Sequence, residues 1–151
     1  MARSFAGAGV ALVTPFTKSG DLDEAALRRM VRRQIESSID VLVPCGTTGE
    51  AVTMTPKEQL RVIEITIEEA SGAVPVLAGT GTNDTRASIE KSKAAAAAGA
   101  AGVLCVGPYY NKPTPEGFYR HYTAIAEACP VPVVVYNVPG RTAATSTPRR
   151  C

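Results

Sequence analysis

Two threonine hydroxyls set between two glycines are the clearest candidates for chemistry in this chain. Thr47 and Thr48 lie between Gly46 and Gly49, directly after the short apolar run of residues 41–43. The glycines let a ligand approach the backbone closely, and successive backbone N–H groups in such a turn can converge on a carboxylate. Threonine hydroxyls both donate and accept hydrogen bonds, so they can pass a proton along a relay. The stretch predicts an anion-binding turn with relay hydroxyls, while a tight turn with a threonine N-cap explains the same residues without a ligand.

The composition is that of one globular domain. The 151 residues are 45% hydrophobic and 20% charged, and they carry a net charge of +2. A chain of this length can bury a real core, and we treat residues 1–151 as a single domain. So small a net charge gives no electrostatic reason to expect a nucleic acid or a membrane as partner. The apolar run at residues 10–13 is too short to cross a bilayer.

The spacing of cysteine, histidine and glycine argues against a metal site or a cofactor. The four cysteines are widely spaced and form no C-x-x-C pair, so neither a zinc site nor a disulfide framework is expected. Cys45 and Cys105 lie in apolar runs and are expected in the core, which favours a reducing, cytoplasmic compartment. Residues 79–84 lack the third glycine of a dinucleotide-binding G-x-G-x-x-G loop, so that interpretation is rejected. The only histidine, His121, is expected to be structural or exposed.

Five short apolar runs alternate with helical patterns along the chain. The runs are residues 10–13, 41–43, 74–78, 102–106 and 131–135. The helical patterns cover residues 21–38, a segment from 56 onward, 85–98 and 114–128. A strand about every 30 residues is typical of βαβ units, and continuous apolar strands are typical of a parallel sheet covered on both faces. The pattern predicts an α/β fold with about five strands and four helices, either an open doubly wound sheet or part of an eight-stranded β/α barrel.

Five loop segments, each at the end of a predicted strand, together resemble a known family. They are residues 10–16, 46–50, 78–81, 108–111 and 136–142. In this order they resemble the 4-hydroxy-tetrahydrodipicolinate synthase (dihydrodipicolinate synthase) family. The members of this family are pyruvate-dependent class I aldolases. The resemblance covers about residues 8–148. It implies an incomplete (β/α)8 TIM barrel, of which this chain is the N-terminal part.

The resemblance implies a proton relay of three hydroxyls. In the family a lysine amine forms a Schiff base with pyruvate, and this makes the pyruvate methyl group acidic enough for condensation. Tyr136 matches the catalytic tyrosine of the family, and Thr47 and Tyr110 match its relay partners. The family equivalent of Tyr110 reaches across a dimer interface, so full-length relatives are expected to be homo-oligomers, either dimers or tetramers.

Two further residues match substrate contacts of the family. Thr48 matches a contact to the pyruvate carboxylate. Arg141 matches the residue that pairs with the carboxylate of aspartate 4-semialdehyde, a task that suits the bidentate guanidinium. The resemblance therefore implies these two substrates, in lysine and diaminopimelate biosynthesis. N-acetylneuraminate lyase and 2-keto-3-deoxy sugar acid aldolases are related alternatives, and Arg141 favours the synthase because it suits a short carboxylated aldehyde.

The Schiff-base lysine of the family has no counterpart in this sequence. In the family it follows the sixth strand, whereas the last apolar run here is the fifth. The five lysines lie elsewhere, at Lys18, Lys57, Lys91, Lys93 and Lys112. We therefore expect this polypeptide alone neither to close a barrel nor to catalyse condensation. A non-catalytic fragment that binds full-length subunits is the alternative from a different class of function.

Overall fold

The computed structural model describes residues 5–145 and shows five strands that alternate with helices. The strands are β1 (Gly9–Ala11), β2 (Val41–Val43), β3 (Leu77–Gly79), β4 (Gly102–Val106) and β5 (Val133–Tyr136). The helices are α1 (Glu24–Glu36), α2 (Pro56–Ala70), α3 (Thr85–Ala97), α4 (Pro115–Ala128) and α5 (Pro139–Thr142), and a short 3₁₀ helix (Ala51–Thr53) precedes α2. None of the helices within residues 5–145 has the length and apolar composition needed to span a bilayer.

The long helices begin at side chains that cap their free amides. At the start of α2, Thr55 and Glu58 form a capping box and Pro56 occupies the first helical turn, as the sequence predicts. The other three long helices, α1, α3 and α4, have the capping residues Asp23, Asp84 and Thr114. These caps determine where the loop after each strand turns into a helix.

The sheet keeps its strands in chain order. β1 pairs with β2, and β3, β4 and β5 pair in that order, all in parallel. A single parallel bridge between Leu42 and Val76 joins the two groups, and the Leu42 amide donates to the Pro75 carbonyl at 3.1 Å. A doubly wound sheet reverses its strand order at a switch point, and the strands of residues 5–145 show no such reversal. The order is that of an arc of a (β/α)8 barrel, so the predicted incomplete barrel is confirmed.

The hydrophobic core lies between the sheet and the layer of helices. Its fully buried members include Leu27, Val31, Leu42, Val103 and Ile125. Cys45 and Cys105 belong to the same buried cluster, which confirms their predicted place in the core. The apolar face of each long helix thus covers the outer face of the strands.

A group of ion pairs joins the outer faces of α1 and α2. The Arg28 and Arg32 guanidiniums lie 2.9 Å and 2.6 Å from the Glu69 carboxylate, and Arg61 lies 2.6 Å from Glu24. The long side chains of Arg28 and Arg32 reach along the rim of the helix contact to an acidic partner on α2.

Several boundaries differ from the sequence prediction, and two of the differences have a clear physical reason. The third strand begins at Leu77 and not at residue 74, because Pro75 has no amide to donate to a sheet ladder. The segment 136–142 was predicted as a loop, but it contains the four-residue helix α5, which begins at Pro139. Proline is well suited to the first helical position, yet four residues are too few to show a helical apolar pattern. The chain therefore has five α-helices within residues 5–145, one more than predicted.

Candidate functional site

A cavity of about 480 Å³ opens at the carboxyl ends of the strands. Its lining comes from residues of β3, β4 and β5 and from the segments that follow β2, β3, β4 and β5, within residues 45–52, 79–81, 104–109 and 136–141. In β/α barrels this end of the sheet carries the loops that hold functional residues. Four of the five predicted functional loops thus meet at one place in the fold.

The glycine- and threonine-rich turn after β2 is held by its own backbone and by one buried hydroxyl. The Gly49 amide donates to the Gly46 carbonyl at 3.1 Å. The Thr14 hydroxyl, which is 5% exposed, donates to the Gly49 carbonyl at 2.7 Å. Within residues 5–145 the amides of Thr47 and Thr48 donate to no other group. They therefore remain available to an anion.

Three of the five predicted site residues line this cavity. Thr47 lies in the turn after β2, Tyr136 ends β5, and Arg141 lies on α5. In the described part of the chain, their hydroxyls and guanidinium make no hydrogen bond or ion pair with protein. Polar groups that face a cavity without a protein partner can orient a ligand. The fold thus brings the three groups together without joining them to one another.

The other two predicted residues, Thr48 and Tyr110, do not line the cavity. Thr48 is exposed beside it. Tyr110 is 90% exposed, and its backbone φ of +70° lies in the left-handed region that non-glycine residues seldom adopt. Its neighbour Tyr109 lines the cavity instead. The role of Tyr110 across a dimer interface remains a prediction, because a single chain cannot display it.

Two glycines allow the ends of the middle strands to pack closely around the cavity. A Cβ atom on Gly79 would overlap the carbonyl group of Cys45, and a Cβ atom on Gly81 would overlap the backbone of Cys105 and Val106. These positions tolerate no side chain without moving a neighbouring strand. The glycines that fail the dinucleotide motif therefore have a packing role that the sequence pattern did not reveal.

Cys45 lines the cavity, but its thiol is a poor candidate for a nucleophile. Burial raises the pKa of the Cys45 thiol to about 12, and the charge of Lys91 opposes this only in part. The thiol donates to the Gln59 carbonyl at 3.4 Å. A thiol that stays protonated is a poor nucleophile. Within the described part of the chain no lysine lines the cavity, and no group of three or more His, Cys, Asp or Glu residues is placed to hold a metal ion.

Apolar residues that the sequence analysis did not assign to a site complete the cavity. Leu104 and Val106 of β4 line it, whereas Val103 and Cys105 of the same strand belong to the core. This alternation is present in the sequence, but it identifies the inner face only after the barrel is known. Val52, on the 3₁₀ helix, also lines the cavity and is 76% exposed. No pattern in the sequence indicated it.

Comparison with known proteins gives one consistent result. The model of the dihydrodipicolinate synthetase family matches residues 4–150. The 4-hydroxy-tetrahydrodipicolinate synthase of Chloroherpeton thalassium is 57% identical over 140 residues, which are 93% of this chain and 46% of that protein. The one from Geobacter sulfurreducens is 54% identical over 144 residues, which are 95% of this chain and 49% of that protein. The chain thus spans about half the length of these relatives.

Solved structures agree with the sequence comparison. The dihydrodipicolinate synthase of Aquifex aeolicus superposes with a TM-score of 0.91 at 40% identity, over 93% of this chain and 48% of that one. The chloride-inhibited dihydrodipicolinate synthase of Acinetobacter baumannii, solved in complex with pyruvate, gives 0.92 at 48% identity, over 94% and 49% of the two chains. At 40% and 48% identity, these superpositions show that the five-stranded arc has the same fold as the matching part of both enzymes.

Proposed function

The chain belongs to the dihydrodipicolinate synthetase family, and from this premise we propose that it supplies the substrate-binding and proton-relay half of a 4-hydroxy-tetrahydrodipicolinate synthase. The proposed reaction condenses pyruvate with aspartate 4-semialdehyde through a Schiff base. The observation that carries the proposal is the single cavity shared by Thr47, Tyr136 and Arg141. The free cysteines Cys45, Cys105 and Cys129 fit a reducing, cytoplasmic setting for the enzyme.

The turn after β2 is the proposed binding site for the pyruvate carboxylate. The unpartnered amides of Thr47 and Thr48 can donate to a carboxylate, and the Thr48 hydroxyl can add a third donor. Thr14 holds the turn through its bond to the Gly49 carbonyl at 2.7 Å. A turn that is already organised loses less conformational entropy when it binds an anion.

Tyr136 is the proposed proton carrier at the reacting carbon. It ends β5, and its ring lines the cavity together with Thr47. Neighbouring hydroxyls that accept and donate in turn can assist proton transfer to and from such a tyrosine. In the assembled enzyme Tyr110, which is 90% exposed here, would complete the relay from a neighbouring subunit.

Arg141 is the proposed partner of the aldehyde carboxylate. It lies on α5 at the cavity wall, and no acidic side chain pairs with it in residues 5–145. A guanidinium without an internal partner can form a bidentate pair with a carboxylate. This favours a short carboxylated aldehyde over the sugar-derived substrates of other pyruvate aldolases.

The amine that would form the Schiff base has no candidate among the described residues at the cavity. No lysine of the described residues lines the cavity, and the relatives are about twice as long as this chain. We therefore propose that the amine comes from the half of the barrel that the relatives have in addition. The chain would then contribute binding and proton transfer while the other half contributes the covalent step.

A single-chain fusion tests this proposal. Residues 1–145 are joined to the C-terminal half of the Chloroherpeton thalassium relative, and condensation of pyruvate with aspartate 4-semialdehyde is followed. The fusion is expected to be active, and Tyr136→Phe is expected to lower its kcat by about 10²–10⁴-fold, the usual contribution of a general acid–base group. Arg141→Ala is expected to raise KM for the semialdehyde and to leave KM for pyruvate nearly unchanged.

Arg120→Ala is the matched control for the loss of a cation. Arg120 lies on α4, its side chain is 78% exposed, and among the described residues it pairs only with Glu116, at 2.7 Å. Removal of so exposed a pair is expected to leave both KM values unchanged. A fusion in which Tyr136→Phe is as active as the unmodified protein would contradict the proposed role of Tyr136.

A further inference from the structure

The turn of residues 46–49, the proposed carboxylate site, has a residue with left-handed backbone on each side. Cys45, directly before it, has a φ of +57°, and Glu50, directly after it, has a φ of +56°. Neither is a glycine, and other residues keep this conformation only where their surroundings hold them in it. The turn therefore depends on contacts at both of its ends.

One buried residue, Gln59 on α2, contacts the chain on both sides of this turn. Its side-chain amide donates to the carbonyls of Ala51 and Met54, the latter at 3.1 Å. Its backbone carbonyl accepts from the Cys45 thiol at 3.4 Å. Gln59 is only 6% exposed, so the loss of these bonds would cost more than the loss of bonds in water.

The helix α2 does not need the Gln59 side chain as a cap. Thr55 and Glu58 already form a capping box at its start. The Gln59 amide donates instead to Ala51 and Met54, which belong to the 3₁₀ helix and its C-cap before α2. These bonds therefore fix how the 3₁₀ segment approaches α2.

The segment that Gln59 holds is continuous with the site. Ala51 and Val52 line the cavity, and the Glu50 amide donates to the Thr47 carbonyl at 3.1 Å. A shift of residues 51–54 would therefore also move the turn that is proposed to bind pyruvate.

We propose that Gln59 is a positioning residue that fixes residues 51–54 against α2 and so holds the turn of residues 46–49 in the arrangement that binds the pyruvate carboxylate. Gln59 is not among the residues that line the cavity, so it acts through the backbone and not by contact with substrate. A turn that is held in its binding arrangement before the ligand arrives loses less conformational entropy on binding. The inference rests on the proposed carboxylate site, and it adds a residue that no motif in the sequence indicated.

Gln59→Met tests this role in the single-chain fusion described above. It keeps the length of the side chain but removes both donated hydrogen bonds. Peptides that cover residues 46–54 are expected to exchange their amide hydrogens at least about fivefold faster. Pyruvate is expected to slow this exchange, and the concentration that halves the exchange rate is expected to rise about three- to tenfold in the variant. At saturating pyruvate, kcat is expected to change by less than about twofold, because no contact to substrate is removed.

Two variants serve as controls. Gln34→Met makes the same change on α1, at a side chain that forms no hydrogen bond within residues 5–145. Thr66→Val removes a buried hydroxyl of α2 that donates to the Val62 carbonyl of the same helix at 2.8 Å. Both are expected to leave the exchange of residues 46–54 and its response to pyruvate unchanged. If Gln59 only stabilised α2, Gln59→Met would behave as Thr66→Val does.

Two outcomes would overturn the proposal. One is exchange of residues 46–54 that is no faster in Gln59→Met than in Gln34→Met, and the other is faster exchange with an unchanged response to pyruvate. If circular dichroism shows that Gln59→Met does not fold, Gln59→Asn, which keeps the amide on a shorter side chain, is measured in the same way.

The same measurements separate this inference from the proposed function. An unmodified fusion that binds pyruvate but does not condense it would contradict the proposed reaction, while the exchange comparison would still decide the role of Gln59. An unmodified fusion whose exchange pyruvate does not slow would overturn the carboxylate site and the role of Gln59 together.

Discussion

At the scale of single residues, Gly79 is the glycine of the cavity lining that leaves least room for a side chain, because the backbone of Cys45 lies against it. A Cβ atom on Gly79 would overlap the carbonyl group of Cys45, which lies just after β2. Gly79→Ala is therefore expected to lower the free energy of unfolding by about 1–3 kcal/mol, the usual cost of overpacking. Urea denaturation measures this change.

Gly140→Ala is the control for that experiment, because nothing lies within 4 Å of the position that its Cβ would occupy. Its effect is expected to stay within about 0.5 kcal/mol. Equal losses in both variants would show that the approach of β2 and β3 does not restrict Gly79.

The sequence predicted the location of the cavity better than the direction of individual side chains. Thr47, Tyr136 and Arg141 follow strands, and parallel strands bring such positions to one end of the sheet, where all three line the cavity. Tyr109 and Tyr110 are adjacent in one loop, and only Tyr109 lines it. The choice between them depends on the left-handed backbone at Tyr110, with φ of +70°, and no local pattern predicts that conformation.

At the scale of elements, a buried histidine joins α3 to α4. His121 of α4 is 4% exposed, and its Nδ1 lies 2.9 Å from the hydroxyl of Thr85, the first residue of α3. Its Nε2 is buried and has no hydrogen-bond partner among residues 5–145. Burial lowers the pKa of His121, while the charge of Asp84 opposes this shift. The structural interpretation of His121 is confirmed, and the folded chain holds the neutral ring.

This neutral histidine predicts a loss of stability in mild acid. Because its pKa is lower in the folded chain than in the unfolded chain, the unfolded chain takes up the proton first as the pH falls below about 6.5. The free energy of unfolding is then expected to fall by up to about 1.4 kcal/mol per pH unit. Urea denaturation between pH 7.5 and 5 measures the slope. His121→Phe should reduce it, and an unchanged slope in that variant would contradict the neutral ring.

The ion pairs between α1 and α2 predict a second loss of stability, at a more acidic pH than the loss caused by His121. Hydrogen bonds from Arg32 and Arg28 lower the pKa of Glu69 to about 2. The contribution of a carboxylate with a lowered pKa is present above its ordinary value near 4.5 and is lost as the pH falls toward 2. At pH 7 and low salt, Glu69→Gln is expected to lower the unfolding midpoint by a small amount that vanishes in concentrated salt. A difference that persists in concentrated salt, or at pH 2, would contradict an electrostatic origin.

At the scale of the whole molecule, the sequence predicted the alternation of strands and helices but left two architectures open. Periodicity shows that each strand is buried, yet it contains no information on which strands are neighbours. The parallel bridge between Leu42 and Val76 joins β2 to the β3 side of the sheet. The five strands are therefore neighbours in chain order, as in an arc of a barrel. The helix α5 was missed because helix prediction needs several turns of repeating pattern, and α5 has four residues.

We propose above that this half of the barrel holds the substrates and moves the proton, while the amine belongs to the other half. The most direct test treats the single-chain fusion with pyruvate and borohydride and then locates the added mass by peptide mapping. One adduct is expected, on a lysine of the C-terminal half, and none on the 151-residue chain treated alone. An adduct on Lys18, Lys57, Lys91, Lys93 or Lys112 would contradict it.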